Sequence, residues 1–174
     1  EFMGQSQRTT LRPLIVVLGQ YRGGTSAITG IVKKLGGWGG DGDVRPPNIS
    51  NPTGFHENPS LDSVCKSFFD LPEHKPLGET SQKVEELKDW REEQEDSSPE
   101  GSKFLVAKNP LLCLMSNEIE LAWPDAKYIG VRRDPDHSRR SVIDRGWDWS
   151  EEQVTNSILS MVRERDIFLG RKSC

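Results

Sequence analysis

One segment, LIVVLGQYRGGTSAITGIVKKLGG at Leu14–Gly37, constrains the chain more than any other. Leu14 to Leu18 is a short continuous apolar run rich in β-branched residues, the pattern of a parallel strand buried on both faces. Gly19–Ser26 follows as a glycine-rich turn. Ile28, Ile31, Val32 and Leu35 then recur at helical spacing until Gly36 and Gly37 stop the helix. Strand, glycine turn and helix in this order make an anion cradle. Glycines let backbone N–H groups approach oxygen atoms, and the helix N-terminus adds partial positive charge. A chain that opens this way is expected to build the rest of a parallel sheet around it.

Further strands supply that expectation. Phe104–Ala107 reads as a second buried strand, ending at Lys108, and KYIGV at Lys127–Val131 as a third, ending at Arg132 and Arg133. Between them lie helical patterns. Asn58 and Pro59 open one whose apolar face is Leu61, Val64, Cys65 and Phe68. Residues 81–95 give a charged, exposed helix with a thin stripe of Val84, Leu87 and Trp90. An apolar helix is expected near Leu111–Leu121, and another from Asp134 and Pro135 to Gly146. The last begins at Ser150, which with Gln153 spells a capping box; Val154, Ile158, Met161, Val162 and Phe168 form its core face. Strands alternating with helices predict an α/β fold of three layers, a central parallel sheet flanked by helices. Residues 1–174 make a single domain, with a tag or disordered tail over 1–10, loops over 36–58 and 70–80, and a mobile linker over 95–102.

Composition narrows the partners. Acidic residues outnumber basic ones by 27 to 23, a net charge of −4, which argues against a nucleic-acid surface. Cys65, Cys113 and Cys174 are odd in number and widely spaced, and His56, His74 and His137 lack ligand-like spacing, so no metal site is expected. No apolar run approaches the roughly 18 residues of a membrane helix, and no signal-peptide pattern opens the chain. A cytoplasmic protein without membrane contact is the expectation.

Gly19 and Gly24 stand as the two glycines of GxxxxGK[ST], a P-loop-like arrangement, but Thr25 occupies the lysine position and Arg22 brings the charge earlier. Nucleotide kinases use that lysine on the phosphates and a strand-end aspartate to help hold Mg²⁺. Here the strand ends carry Lys108, Arg132 and Arg133 instead. A transferred group with less charge than a phosphoryl needs no metal.

Arg22-Gly23-Gly24-Thr25-Ser26 resembles the 5′-phosphosulfate loop of the sulfotransferase family that uses 3′-phosphoadenosine 5′-phosphosulfate (PAPS). NPTGFHENPSLDSV resembles the Asn-Pro-x-Gly-aromatic-x-Glu segment of bacterial relatives, and LVAKNPLLCLM their Lys-Asp-Pro strand end. In YIGVRRDPDHSRRSVIDRG, Arg133, Pro135 and Ser141 match the spacing of the 3′-phosphate segment. The resemblance implies PAPS as donor, 3′-phosphoadenosine 5′-phosphate (PAP) as product, no metal, and a small-molecule or glycan acceptor hydroxyl or amine. It implies that Arg22, Gly23, Gly24, Thr25 and Ser26 hold the 5′-phosphosulfate, and that Arg133 and Ser141 hold the 3′-phosphate. Lys108 would face the bridging oxygen. For the general base, the histidine of cytosolic relatives is replaced by Pro110. Glu57 is the candidate, with His56 second. Gly23 stands for a common serine, and relatives continue past residues 150–170 into further basic cover, a role Arg171 and Lys172 could supply. Two alternatives stay open. One is a P-loop kinase, with Asp134, Asp41 or Asp43 on Mg²⁺. The other is a non-catalytic relative that keeps the fold and binds a nucleotide or partner.

Overall fold

The computed structural model describes residues 11–49 and 51–173; the tail expected over 1–10 and Cys174 lie outside them. Its centre is a four-stranded, wholly parallel sheet. The strands are β1 (Leu14–Leu18), β2 (Gly37–Trp38), β5 (Phe104–Lys108) and β6 (Lys127–Gly130), in the order β2-β5-β1-β6. Val16 pairs with Ala107 on one side and Tyr128 on the other, so β1 lies at the centre. The three strands legible in the sequence are therefore adjacent. β2 was hidden within the expected 36–58 loop. A short hairpin of β3 (Phe69–Asp70) and β4 (Lys75–Pro76) interrupts the expected 70–80 loop.

Alternation along the strands divides the core in two. Leu14, Val16, Leu18, Leu105 and Ala107 join one large cluster with side chains of α2 (Pro59–Ser67), α3 (Thr80–Ser97), α4 (Ser116–Ala122) and α6 (Glu151–Lys172). Ile15, Val17, Phe104 and Val106 face the other way, against Ile28 and Val32 of α1 (Thr25–Lys34). Helices thus flank the sheet on both faces, as an α/β layered fold requires.

Four readings are corrected. Ile31 and Leu35 are exposed, because α1 buries the face of Thr25, Thr29 and Val32 instead. α3 is not an exposed helix: Val84, Leu87 and Trp90 are buried, and Lys83, Arg91 and Gln94 go with them. Arg91 forks onto Asp125 at 2.6 and 2.7 Å, which lets a charged side chain be buried. Residues 95–97 belong to α3, where Glu95 binds Arg12 at 2.8 Å, so they are not linker. The helix expected at 111–121 is split into a 3-10 turn, Pro110–Leu114, and α4, with Met115 between.

The helix starts behave as written in the sequence. The Asn58 side chain caps α2 by accepting Leu61 N at 2.9 Å, Asp134 caps α5 (Pro135–Ile143), and Ser150 and Gln153 form the capping box of α6. Asn58 also accepts from Trp90 Nε1 at 3.2 Å, which joins the cap to α3. Gly40 packs against this junction with φ 81°. A Cβ there would run into Asn58 Nδ2 and stand 2.6 Å from Gln94 Oε1. Gly40→Ala is expected to cost about 2–4 kcal/mol, adding a damaged cap to a left-handed alanine. Gly42→Ala, also at positive φ but with its nearest neighbour Pro59 Cγ at 3.6 Å, should cost only about 1 kcal/mol. Urea midpoints of the two variants check the difference.

Candidate functional site

The C-terminal ends of β1 and β5 and the chain after β6 meet in a cleft of about 840 Å³, within the roughly 300–1,000 Å³ of small-ligand sites. Its floor is the turn between β1 and α1. Gly23 N donates to Gln20 O at 2.9 Å, tightening the turn, and an added Cβ on Gly23 would sit 2.7 Å from that same oxygen. Gly24 is the N-cap of α1 at φ 90°; it supplies no side-chain cap, and the first turn carries no acid. The positive end of α1 therefore faces the cleft without an internal counter-charge. Arg22 is also left-handed, at φ 57°, a conformation unusual for a residue with a Cβ.

Arg22 and the residues after β6 are locked together. Arg22 Nε donates to Ser141 Oγ at 3.1 Å, and an Arg133 terminal nitrogen donates to Arg22 O at 2.8 Å. Arg22, Arg133 and Ser141 are thus one cluster. Ser141 supports Arg22 and does not itself line the cleft. The Arg22 guanidinium is pushed below its ordinary value, first by burial and then by the positive charges of Arg145, Arg133 and Arg45. Crowding of like charge around a half-buried guanidinium is relieved when an anion enters.

Lys108, at the end of β5, is buried. Its ammonium donates to Glu57 Oε1 at 2.5 Å and to Phe55 O at 3.1 Å. Ser26 Oγ donates to the same Phe55 carbonyl at 3.0 Å. One backbone oxygen thereby ties the cradle, the strand-end lysine and the segment bearing Glu57. Thr25 is buried, with its methyl group against Gly19, where an added Cβ would lie 2.5 Å away.

Asp43 shapes the Glu57 segment. It accepts the backbone N–H of His56 at 2.6 Å and of Glu57 at 3.2 Å, holding His56 at φ 55°. The imidazole is turned away from the cleft onto α1, where a Cβ on Gly30 would lie 3.0 Å from His56 Nε2, an atom with no hydrogen-bond partner among the described residues. Glu57 lines the cleft and His56 does not. Asp41, Asp43 and Asp134 also lie off its wall; Asp43 and Asp134 are taken up by backbone amides. Arg171 and Lys172 stand at the far end of α6, where Lys172 binds Glu120 at 2.5 Å, so they give the cleft no cover.

The motifs missed several wall residues. Arg45 and Arg145 come from loops, and Tyr21, Trp147 and Trp149 form an aromatic wall. Tyr21 sits inside the turn itself, and the Trp-Asp-Trp spelling was legible, but only as the approach to a helix.

His56 and His74 are both held below the usual histidine range, chiefly by burial. The unfolded chain protonates both near pH 6.5, whereas the folded chain resists until lower pH. The unfolded state then binds more protons, so stability falls as pH drops below about 6.5 and is unaffected above it. Urea midpoints should be level between pH 8 and 7 and decline toward pH 5. His74→Gln should flatten that decline.

No protein-family model matches the chain, and no curated protein matches it.

Proposed function

We propose that the chain is a metal-independent sulfotransferase that moves the sulfuryl group of PAPS to an acceptor hydroxyl or amine. The observation that carries the reading is the Lys108–Glu57 pair, set beside a P-loop-like cradle whose charge is supplied by arginine. The Gly23–Ser26 amides and Arg22 take the 5′-phosphosulfate. Arg133 takes the 3′-phosphate as a planar fork, with Ser141 holding Arg22 in place. Glu57 accepts the acceptor's proton while the acceptor oxygen or nitrogen bonds to sulfur. The bridging S–O bond breaks, its electron pair goes to the 5′-phosphate oxygen, and Lys108 neutralises the charge that develops there.

The pairing itself has a mechanistic consequence. Lys108 occupies Glu57 until the donor's bridging oxygen competes for the ammonium. The base is then released only when donor is in place.

PAP is the probe. At about 100 times its dissociation constant it should stabilise the protein by roughly 2.7 kcal/mol, a rise of several degrees in melting temperature, with EDTA present. Glu57→Gln should keep that rise and lose at least about 100-fold in transfer from labelled PAPS. A rise with ATP and Mg²⁺ alone would replace this reading with a kinase. PAP binding without transfer to any acceptor would make the chain a binding protein.

A further inference from the structure

The cleft wall also carries aromatic residues that have no part in the phosphate-binding set. Tyr21, Trp147 and Trp149 meet there in a corner. Trp147 and Trp149 are 5.0 Å apart at 84°, and Tyr21 stands 5.1 Å from Trp147 at 71° and 5.8 Å from Trp149 at 73°. All three rings are half-buried and line the cleft, with Leu71 beside them. Behind them Val142, Val154 and Ile158 form a small core of their own.

The corner is built rather than incidental. Tyr21 Oη and His74 Nε2 are 3.2 Å apart, and His74 Nδ1 lies 3.0 Å from Ser157 Oγ. Ser157 in turn donates to Gln153 O at 2.7 Å, anchoring the chain of bonds in α6. His74 comes from the hairpin between β3 and β4 and is held at φ 56°. A buried histidine in a left-handed conformation, with both ring nitrogens engaged, fixes one tyrosine in the wall. The Tyr21 hydroxyl is held far above its usual range by burial, and after that by the charges of Glu57 and Asp62. Glu57 lines the same cleft as the three rings.

We propose that this corner is the acceptor subsite and that it takes a flat aromatic ring bearing a hydroxyl, that is, a phenol. Aromatic rings that meet edge-to-face or offset gain about 0.5–1.5 kcal/mol per pair beyond burial, and a ring entering this cleft has Tyr21, Trp147 and Trp149 on its wall as partners. A carboxylate at the subsite also takes a proton more readily from a phenol, ordinarily near pKa 10, than from an aliphatic alcohol. The assignment to the acceptor rests on the sulfotransferase reading; the ring-binding corner does not.

The test is equilibrium binding of 4-methylphenol, with cyclohexanol as the aliphatic match, followed by tryptophan fluorescence with and without saturating PAP. The expected result is that 4-methylphenol binds at least about tenfold more tightly than cyclohexanol and still binds when PAP is present. Trp147→Leu and Trp149→Leu, each checked for a cooperative melt, should each weaken phenol binding severalfold while leaving PAP affinity unchanged. Equal binding of the two alcohols by the unmutated protein would overturn the proposal. So would displacement of the phenol by PAP, which would give the corner to the donor's base. If the phenol binds but PAP does not, the corner stands and the sulfotransferase reading falls. If PAP binds and the phenol does not, the reading stands and the corner falls.

Discussion

Lys108→Met is expected to destabilise the protein by about 3–5 kcal/mol and to remove detectable transfer. Methionine matches the aliphatic stem of lysine, so little packing volume changes. What is lost is the ammonium, which donates to Glu57 at 2.5 Å and to Phe55 O at 3.1 Å from a position only 4% exposed. Removing one partner of a buried pair leaves the other charge without compensation, and that is the source of the cost. The double variant Lys108→Met/Glu57→Gln removes the stranded carboxylate. It should be more stable than the Lys108→Met single variant, with a coupling energy on the order of 1–3 kcal/mol. Urea unfolding of the four members of the cycle reads this directly, and additive effects would mean that the pair does not act as a unit. For transfer, losing a preorganised positive group at a developing oxyanion costs roughly 100- to 1,000-fold. Donor binding should survive better than turnover, because the cradle amides and Arg22 remain.

The elements that sequence made legible are those with one dominant physical signal. β1 and β5 are buried on both faces, which writes them as apolar runs, whereas β6, at the sheet edge, has no buried residue and is marked only by Tyr128, Ile129 and the Val131 that follows. β2 is two residues, Gly37 and Trp38, placed by pairing with Phe104 and Leu105, and nothing local marks it. α1 is only half legible: Ile28 and Val32 do pack on the sheet, but the rest of its buried surface is Thr25 and Thr29. Ile31 and Leu35 mislead by being apolar and outside. α3 misleads in the opposite sense. Its Lys83 is buried with its ammonium 5.7 Å from the Phe68 ring, and Arg91 is buried with a carboxylate, so charge did not mean exposure.

The site divides the same way. Arg22, Lys108, Arg133 and Ser141 sit in contiguous motifs, and the fold brings them together around the cradle. Arg45, Arg145 and the tryptophan corner arrive from loops whose positions depend on distant contacts, such as the Asp43 clasp on His56 and Glu57. Those contacts have no spacing rule. Least legible of all was Arg165, a charged residue read as part of an ordinary helix.

Arg165→Met is expected to cost about 3–5 kcal/mol and, separately, to weaken PAP binding at least tenfold. Arg165 is 2% exposed and does not line the cleft. One terminal nitrogen donates to Gln20 Oε1 at 2.7 Å and to Val131 O at 2.8 Å, and Nε donates to Asp166 at 2.9 Å. Gln20, fully buried, passes the connection on, donating to Arg133 O at 3.0 Å and to Ser138 Oγ at 3.2 Å. A guanidinium from α6 thus braces, from behind, the cradle turn that carries Arg22 and the strand end that carries Arg133, beside the direct bond from Arg133 to Arg22 O. Methionine would leave two carbonyl oxygens and one carboxylate without their donor, which accounts for the stability loss. The binding loss has a different origin: the two arginines that the proposed function sets on one donor would no longer be held at a fixed separation. Lys83→Met is the control. Lys83 is also buried and charged, 3.9 Å from Glu118, but lies off the cleft wall. It should lower the urea midpoint and leave PAP affinity unchanged when both variants are assayed well below their melting temperatures. Equal affinity losses in the two variants would mean that general destabilisation, rather than the Arg165–Gln20 connection, governs the cradle.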